Sequence, residues 1–262
     1  MTKDMLSKPI EDYAIIGDGR TAALIARDGS IDWLCWPRFD SDACFSALLG
    51  SEQHGAWRIT PAEATEVSRR YVGDSMVLQT EFRTRSGVLR LTDFMSIPNG
   101  SASAVSRRLE VLGGEVEVEL ALSIRFGYGE IPPWFDRLVG SGSDGFSGEV
   151  GPDRIVLRGP GLSRHGGVIR AHLTLRAGER ADYVLQHAPS DREVPDEIDP
   201  EAALASTLST WQDWMARFDR KTDWPEAVKR SLLTLKVLSH ISTGGIVAAP
   251  TLGLPEKPGG SM

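Results

Sequence analysis

Residues 14–37 read AIIGDGRTAALIARDGSIDWLCWP. Gly17-Asp18-Gly19 follows a short apolar run, and Ala22 comes three positions on. That is G-x-G-x-x-A, the outline of a dinucleotide-binding loop. Such a loop needs a helix directly behind it, because the pyrophosphate rests on the helix N-terminus. Here Ala23-Leu24-Ile25-Ala26 leads straight to Asp28-Gly29, a strong hairpin signal, and Ile31, Trp33 and Cys35 then alternate. Six residues between Thr21 and Ala26 are too few for a crossover helix. The stretch predicts strand, glycine turn, strand, a type I′ turn at Asp28-Gly29, and strand. The glycines then serve backbone freedom rather than phosphate.

The strand signature continues outward to about residue 188. Residues 75–97 hold two alternating runs split at Ser86-Gly87. Residues 103–126 predict a hairpin turning at Gly113-Gly114. Beyond it Val116, Val118, Leu120 and Leu122 face one way and Glu115, Glu117 and Glu119 the other. The three glutamates invite an acid/base reading. Catalytic carboxylates need environments that drive their pKa values apart, and a row on one solvated sheet face supplies none. Shorter strands are expected at 145–150, 154–158, 167–175 and 180–186, separated by Gly/Pro turns. Many short strands without intervening helices imply a large antiparallel sandwich.

The pattern then changes. After the acidic linker SDREVPDEIDP, Asp199-Pro200 reads as an N-cap with Pro at the first helical position. Leu204, Leu208, Trp211, Met215 and Phe218 form one apolar stripe behind it. A second helix is expected from Asp223 to Thr243, opened by a capping box at Asp223–Glu226, with Leu232, Leu235 and Leu238 on its buried side and Gly244-Gly245 ending it. Such a helix needs partners. Either the β domain covers it or the chain is a piece of something longer.

The chain has 262 residues, 41% hydrophobic and 25% charged, which suits a globular protein with a substantial core. A net charge of −7 argues against nucleic acid as partner. No run of eighteen apolar residues exists, so no membrane span is expected. No apolar leader precedes residue 13, and the expectation is a cytoplasmic protein whose two cysteines, Cys35 and Cys44, are buried thiols. The five histidines are scattered, and neither a metal site nor a cofactor is expected.

Two stretches resemble a known family. IGDGRTAALIARDGSIDWLCWPRFDSDACFSALLG, residues 16–50, is similar to the start of bacterial and archaeal family-15 glycoside hydrolases, the glucoamylase-like and trehalase-like proteins. LKVLSHISTGGIVAAPTLGLPEKPGG, residues 235–260, resembles the first helix and following loop of their catalytic domain. The resemblance implies a mainly β fold, with an N-terminal super-β-sandwich over 1–190, a linker with a helix over 191–221, and the start of an (α/α)6 barrel over 222–262. It implies hydrolysis of α-glucosidic bonds with inversion, by two glutamates roughly 6.5–9.5 Å apart. In the family both glutamates lie late in the barrel, so none of the residues here carries over as catalytic. The chain is expected to be truncated before that machinery and inactive alone. The substrate would be trehalose or an α-glucan; the sequence does not separate the two specificities, and a homo-oligomer stays open.

Among the residues present, Trp36-Pro37-Arg38-Phe39-Asp40 is the best substrate-binding candidate. Arg38 and Asp40 suit sugar hydroxyls, and Trp36 and Phe39 suit a pyranose face. The competing reading is that the ion pair pins a loop and the aromatics pack in the sandwich. Ile131-Pro132-Pro133-Trp134-Phe135 is a second aromatic loop, suited to a sugar or to a domain contact. A different class of function also remains, a free-standing carbohydrate-binding or scaffold module without catalysis.

Overall fold

The computed structural model describes residues 8–97, 103–138 and 144–251. Fifteen strands are present among them, all paired antiparallel. They are β1 (Tyr13–Gly17), β2 (Ala22–Ala26), β3 (Ser30–Cys35), β4 (Ala43–Phe45), β5 (Ala56–Pro61), β6 (Glu66–Tyr71), β7 (Leu78–Arg83), β8 (Gly87–Met95), β9 (Ser103–Ser123), β10 (Trp134–Arg137), β11 (Gly145–Val150), β12 (Asp153–Arg158), β13 (Ser163–His165), β14 (Val168–Arg176) and β15 (Arg180–Pro189). A single turn α1 (Phe126–Gly129) lies between β9 and β10, and α2 (Pro200–Met215) and α3 (Pro225–Val237) follow the strands. The chain is mainly β, a large antiparallel assembly followed by helices.

The strands form two layers that share β9. Its first half pairs with β8 and β15, in the order β6-β7-β8-β9-β15-β12-β11-β10. Its second half pairs with β5 and β14, in the order β1-β2-β3-β5-β9-β14-β13. The expected hairpin at Gly113-Gly114 is therefore corrected: β9 runs unbroken for 21 residues. At the glycines it shifts register against β8 between Val88 and Leu89. An extra residue in one strand bends it, and such bulges let a strand change sheets. Gly114 has φ +74, and a Cβ there would sit 2.0 Å from the Ser86 carbonyl oxygen. The expected alternation beyond the bend is present. Val116, Val118, Leu120 and Leu122 are buried, while Glu115, Glu117 and Glu119 are exposed.

The Asp28-Gly29 hairpin exists, but its turn is not type I′. Gly29 has φ +83 and donates to the Ala26 carbonyl at 3.0 Å, whereas Asp28 does not have a positive φ. This is a tight turn with one left-handed residue and a bulge between Leu24 and Ile25, a three-residue solution for the same dipeptide.

α2 starts as expected. The Asp199 carboxylate accepts from the amides of Glu201 at 2.9 Å and Ala202 at 3.3 Å, with Pro200 at the first position. Trp211 and Met215 are buried; Leu204 and Leu208 are half-buried, and the helix ends before Phe218. α3 is shorter than expected. Trp224 is its N-cap, no capping box forms, and it ends at Val237. A bridge between Ser239 and Ile246 follows. Its buried pair is Leu233 and Val237, one turn apart, while Leu235 is half exposed. Four-residue spacing puts Leu233 and Val237 on the face toward β1; of the three expected leucines, Leu232 and Leu238 are half-buried and pack against that face, and Leu235 does not. Leu233 and Val237 join Met76, Trp211 and Met215 in a satellite core. Each such burial is worth about 1.5–3 kcal/mol. Arg230 reinforces it, donating to the Ser75 carbonyl at 2.9 Å and lying 3.9 Å over the Tyr71 ring. The β layer thus covers one side of α3. No helix among the described residues is long and apolar enough to cross a membrane.

Candidate functional site

Three segments meet at one end of the β1-β2-β3 layer: the Gly17–Thr21 turn, the loop after β3, and residues 239–250. The turn is held by Asp18, which is fully buried. One carboxylate oxygen accepts from the amides of Arg20 at 2.8 Å and Thr21 at 2.9 Å; the other accepts from the Ser103 hydroxyl at 2.5 Å. Burial pushes the Asp18 carboxyl above its usual range, against the pull of those hydrogen bonds. Gly19 has φ +80, and its carbonyl accepts from the Ile241 amide at 2.6 Å. The Gly-Asp-Gly sequence is a docking turn for the end of the chain, consistent with the reading against a phosphate loop.

The segment Trp36–Asp40 divides in two. Trp36 and Phe39 are 1% and 3% exposed. The Trp36 indole donates to Ser103 Oγ at 3.1 Å, and its ring lies 5.7 Å from that of His187. The Phe39 amide donates to the Arg20 carbonyl at 3.0 Å, which ties this loop to the turn. Both aromatic faces are covered by the protein. Arg38 and Asp40 are more than half exposed and form a two-pronged ion pair at 2.8 and 2.5 Å. Arg38 holds the Asp40 carboxyl below its usual range, and nearby His240 acts in the same direction. The polar half of the segment therefore stands at the surface beside the chain's helical end, and the aromatic half anchors it.

A second contact joins the same regions. The Trp33 indole donates to the Pro250 carbonyl at 2.8 Å. Trp33, Cys35 and Ala43 form a small core patch with Leu24, Leu48 and Tyr128. Burial, with Asp42 and Asp40 adding to it, pushes the Cys35 thiol up to about 12. Both cysteines are free and buried. The last residues of the 235–260 motif, from Leu252 on, lie outside the described residues.

Three residues of this end went unnamed as functional candidates: Asp18, Ser103 and His187. Asp18 was signalled by an Asp two residues before amides it can cap. Nothing local marks Ser103 or His187, which arrive from distant strands. His187 Nε2 lies 2.7 Å from Asp153, and its Nδ1 has no hydrogen-bond partner among the described residues. In the second aromatic loop, Phe135 is buried and Trp134 is 73% exposed, with the Arg164 guanidinium 5.5 Å from its ring.

The family described as "Trehalase-like, N-terminal" matches residues 4–185. The trehalase of Thermoplasma volcanium is 30% identical over 271 residues, covering 96% of this chain and 41% of that protein. The trehalase of Mycolicibacterium smegmatis is 29% identical over 279 residues, with 96% and 41% covered. The chain thus spans about two fifths of the length of these curated relatives. Among solved structures, a bacterial glucoamylase complexed with acarbose superposes with a TM-score of 0.66 at 11% identity, over 95% of this chain and 44% of that one. This last likeness concerns the fold. The match over residues 4–185, on a sandwich whose opening strands carry the motif quoted at the outset, is decisive: the chain belongs to the trehalase-like N-terminal domain family.

Proposed function

We propose that this chain is the N-terminal portion of an inverting hydrolase of α-glucosidic bonds, acting on trehalose or an α-glucan, with the catalytic glutamates supplied by the part of the relatives that it does not span. In this reading residues 1–190 are the β-sandwich domain, 191–221 the linker, and 222–262 the start of an (α/α)6 barrel. The supporting observation is the docking of residues 239–250 on the first three strands, through Ile241 to Gly19 and Trp33 to Pro250. The electrostatic influence of His240 on Asp40 supports reading the Arg38–Asp40 pair as a neighbour of the first barrel segment. Arg38 and Asp40 then contribute to the barrel mouth and bind sugar hydroxyls, while Trp36 and Phe39 fix the loop that presents them.

Two measurements test this. The chain alone, assayed with trehalose and maltooligosaccharides, is expected to show no turnover; robust activity would overturn the placing of the glutamates. In a full-length relative, the Arg38→Ala change is expected to raise KM or lower kcat without altering the unfolding midpoint. Unchanged kinetics would remove the loop from the substrate site. The exposed Trp134 favours a second reading, a sugar-binding module without catalysis. It gains if the isolated chain binds maltooligosaccharide saturably and loses that binding in Trp134→Ala.

A further inference from the structure

The outer face of the layer containing β5, β9 and β14 carries an unusual row. Ala121 on β9 is paired with Arg58 on β5 and with Arg170 on β14. Cross-strand partners share a face, so two guanidiniums flank one methyl group. Ser123 and Arg125 continue the same face of β9 and its extension, since alternate residues share a side. The result is a cleft of about 370 Å³, floored by Ala121 and Ser123 and walled by Arg58, Arg125 and Arg170. Glu52 at its rim is the one carboxylate lining the cleft among the described residues. It lies 3.1 Å from Arg58 and is more than half exposed.

Arg125 and Arg170 have no carboxylate within 4.0 Å among the described residues. Among the described residues, the side chain of Arg125 makes a single hydrogen bond, at 3.3 Å to the Ile124 carbonyl, and that of Arg170 makes none. The other end of the same strand pair is neutralised, with Arg176 on Glu115 at 2.8 Å. A chain of net charge −7 thus gathers three cations and one anion around a small concave floor. Arg58 and Arg170 stand on either side of β9, two strand spacings or about 10 Å apart, which leaves room for one anion to lie between them. Guanidiniums are suited to planar, forked recognition of oxyanions. One carboxylate has two oxygens and one charge, fewer than three guanidiniums can engage; a phosphate has three or more oxygens and nearly two charges. The volume falls at the small end of ligand pockets, enough for a phosphate on a sugar-sized body.

We propose that this cleft is an anion site for a phosphate group, either free phosphate or a phosphate monoester. The proposal stands apart from the hydrolase reading, because the cleft uses none of the residues assigned there. Isothermal titration of the whole chain with inorganic phosphate, glucose 6-phosphate and acetate, at fixed ionic strength, tests it. Saturable binding of a phosphate and at least tenfold weaker acetate binding are expected. Tighter binding of the ester assigns the site to monoesters, and equal binding assigns it to the free anion. Arg125→Gln and Arg170→Gln should each weaken binding at least tenfold, and Arg176→Gln should leave it unchanged. Ala121→Glu sets a carboxylate between Arg58 and Arg170, and should abolish binding while keeping or raising Tm. That variant separates loss of the site from loss of the fold. No saturable heat with either phosphate, acetate binding as tightly, or full affinity in Ala121→Glu would overturn the proposal.

Discussion

Arg107 and Asp93 face each other across β9 and β8 at 2.8 Å, and neither side chain has any exposed surface. The other nitrogens of Arg107 reach into the opposite layer, to the carbonyls of Trp57 at 2.6 Å and Gly29 at 2.5 Å. Its guanidinium also lies 5.0 Å from the Trp57 ring centroid. One side chain therefore ties the Gly29 turn, β5 and the second layer together.

Removing one member of a buried pair strands the other charge. Arg107→Met is expected to cost about 3–5 kcal/mol, read as a lowered urea midpoint. The double change Arg107→Met with Asp93→Leu should recover part of that loss. A double variant no better than the single one would show that the carbonyl contacts of Arg107, rather than the orphaned Asp93, set the penalty.

Asp18 gives a pH-dependent prediction. Its folded pKa is raised above the unfolded value of 3.8 by burial. Between those two values the folded state binds more protons than the unfolded state, so this group's contribution to stability falls as pH rises through the window. Asn at 18 mimics the protonated acid: its oxygen accepts from the two amides and its NH2 donates to Ser103. Asp18→Asn is thus expected to gain on the wild type as pH rises from about 4 towards neutrality, and to converge with it in acid. Urea midpoints of both proteins across that range check the sign. A gap that widened on acidification would contradict it.

The two glycines at the bend of β9 should behave oppositely. Gly114→Ala forces a side chain into a left-handed conformation and against the Ser86 carbonyl, which costs on the order of 1–3 kcal/mol from the backbone alone. At Gly113 a Cβ would meet nothing within 4 Å. Gly113→Ala should therefore be neutral or stabilising by about 0.4–1 kcal/mol, through the unfolded chain. Thermal unfolding of the pair decides it, and equal Tm values would refute the bulge geometry.

Cys35 and Cys44 should resist thiol reagents in the native protein. Only the thiolate reacts, and burial pushes Cys35 to about 12 and Cys44 upward as well. Aromatic disulfide reagent at pH 8 is expected to modify neither residue until denaturant is added, and then both. Rapid native labelling would show that the patch around Trp33 opens.

Local rules carried the reading as far as local physics reaches. Alternation marked β7 and the second half of β9, because one buried face writes itself into every second residue, and turn residues marked off β8, β11, β12, β14 and β15. Asp199-Pro200 placed the start of α2, since cap and backbone lie side by side. Gly113-Gly114 misled: a diglycine is equally a hairpin turn and a bulge, and only the partner strand β8 decides between them. Likewise Leu232 and Leu238 of α3 flank the packed face, but its fully buried members, Leu233 and Val237, are set by Met76 and Trp211, far away in sequence. For the candidate site, Trp36 to Asp40 was visible as a cluster of sugar-compatible residues. That Trp36 would spend its indole on Ser103, and Phe39 its amide on Arg20, depended on strands brought in from elsewhere.

The 21 residues of β9 belong to both layers at once. The layers also share one core, so loss of either uncovers the apolar face of the other. The sandwich should therefore melt as one cooperative unit, with matching transitions by every probe. Its assembly must wait for pairings between distant parts of the chain, so it should fold slowly for its size. A cut or insertion within β9 would disable both halves, whereas one at the exposed Gly166 turn would be borne by the β13-β14 hairpin.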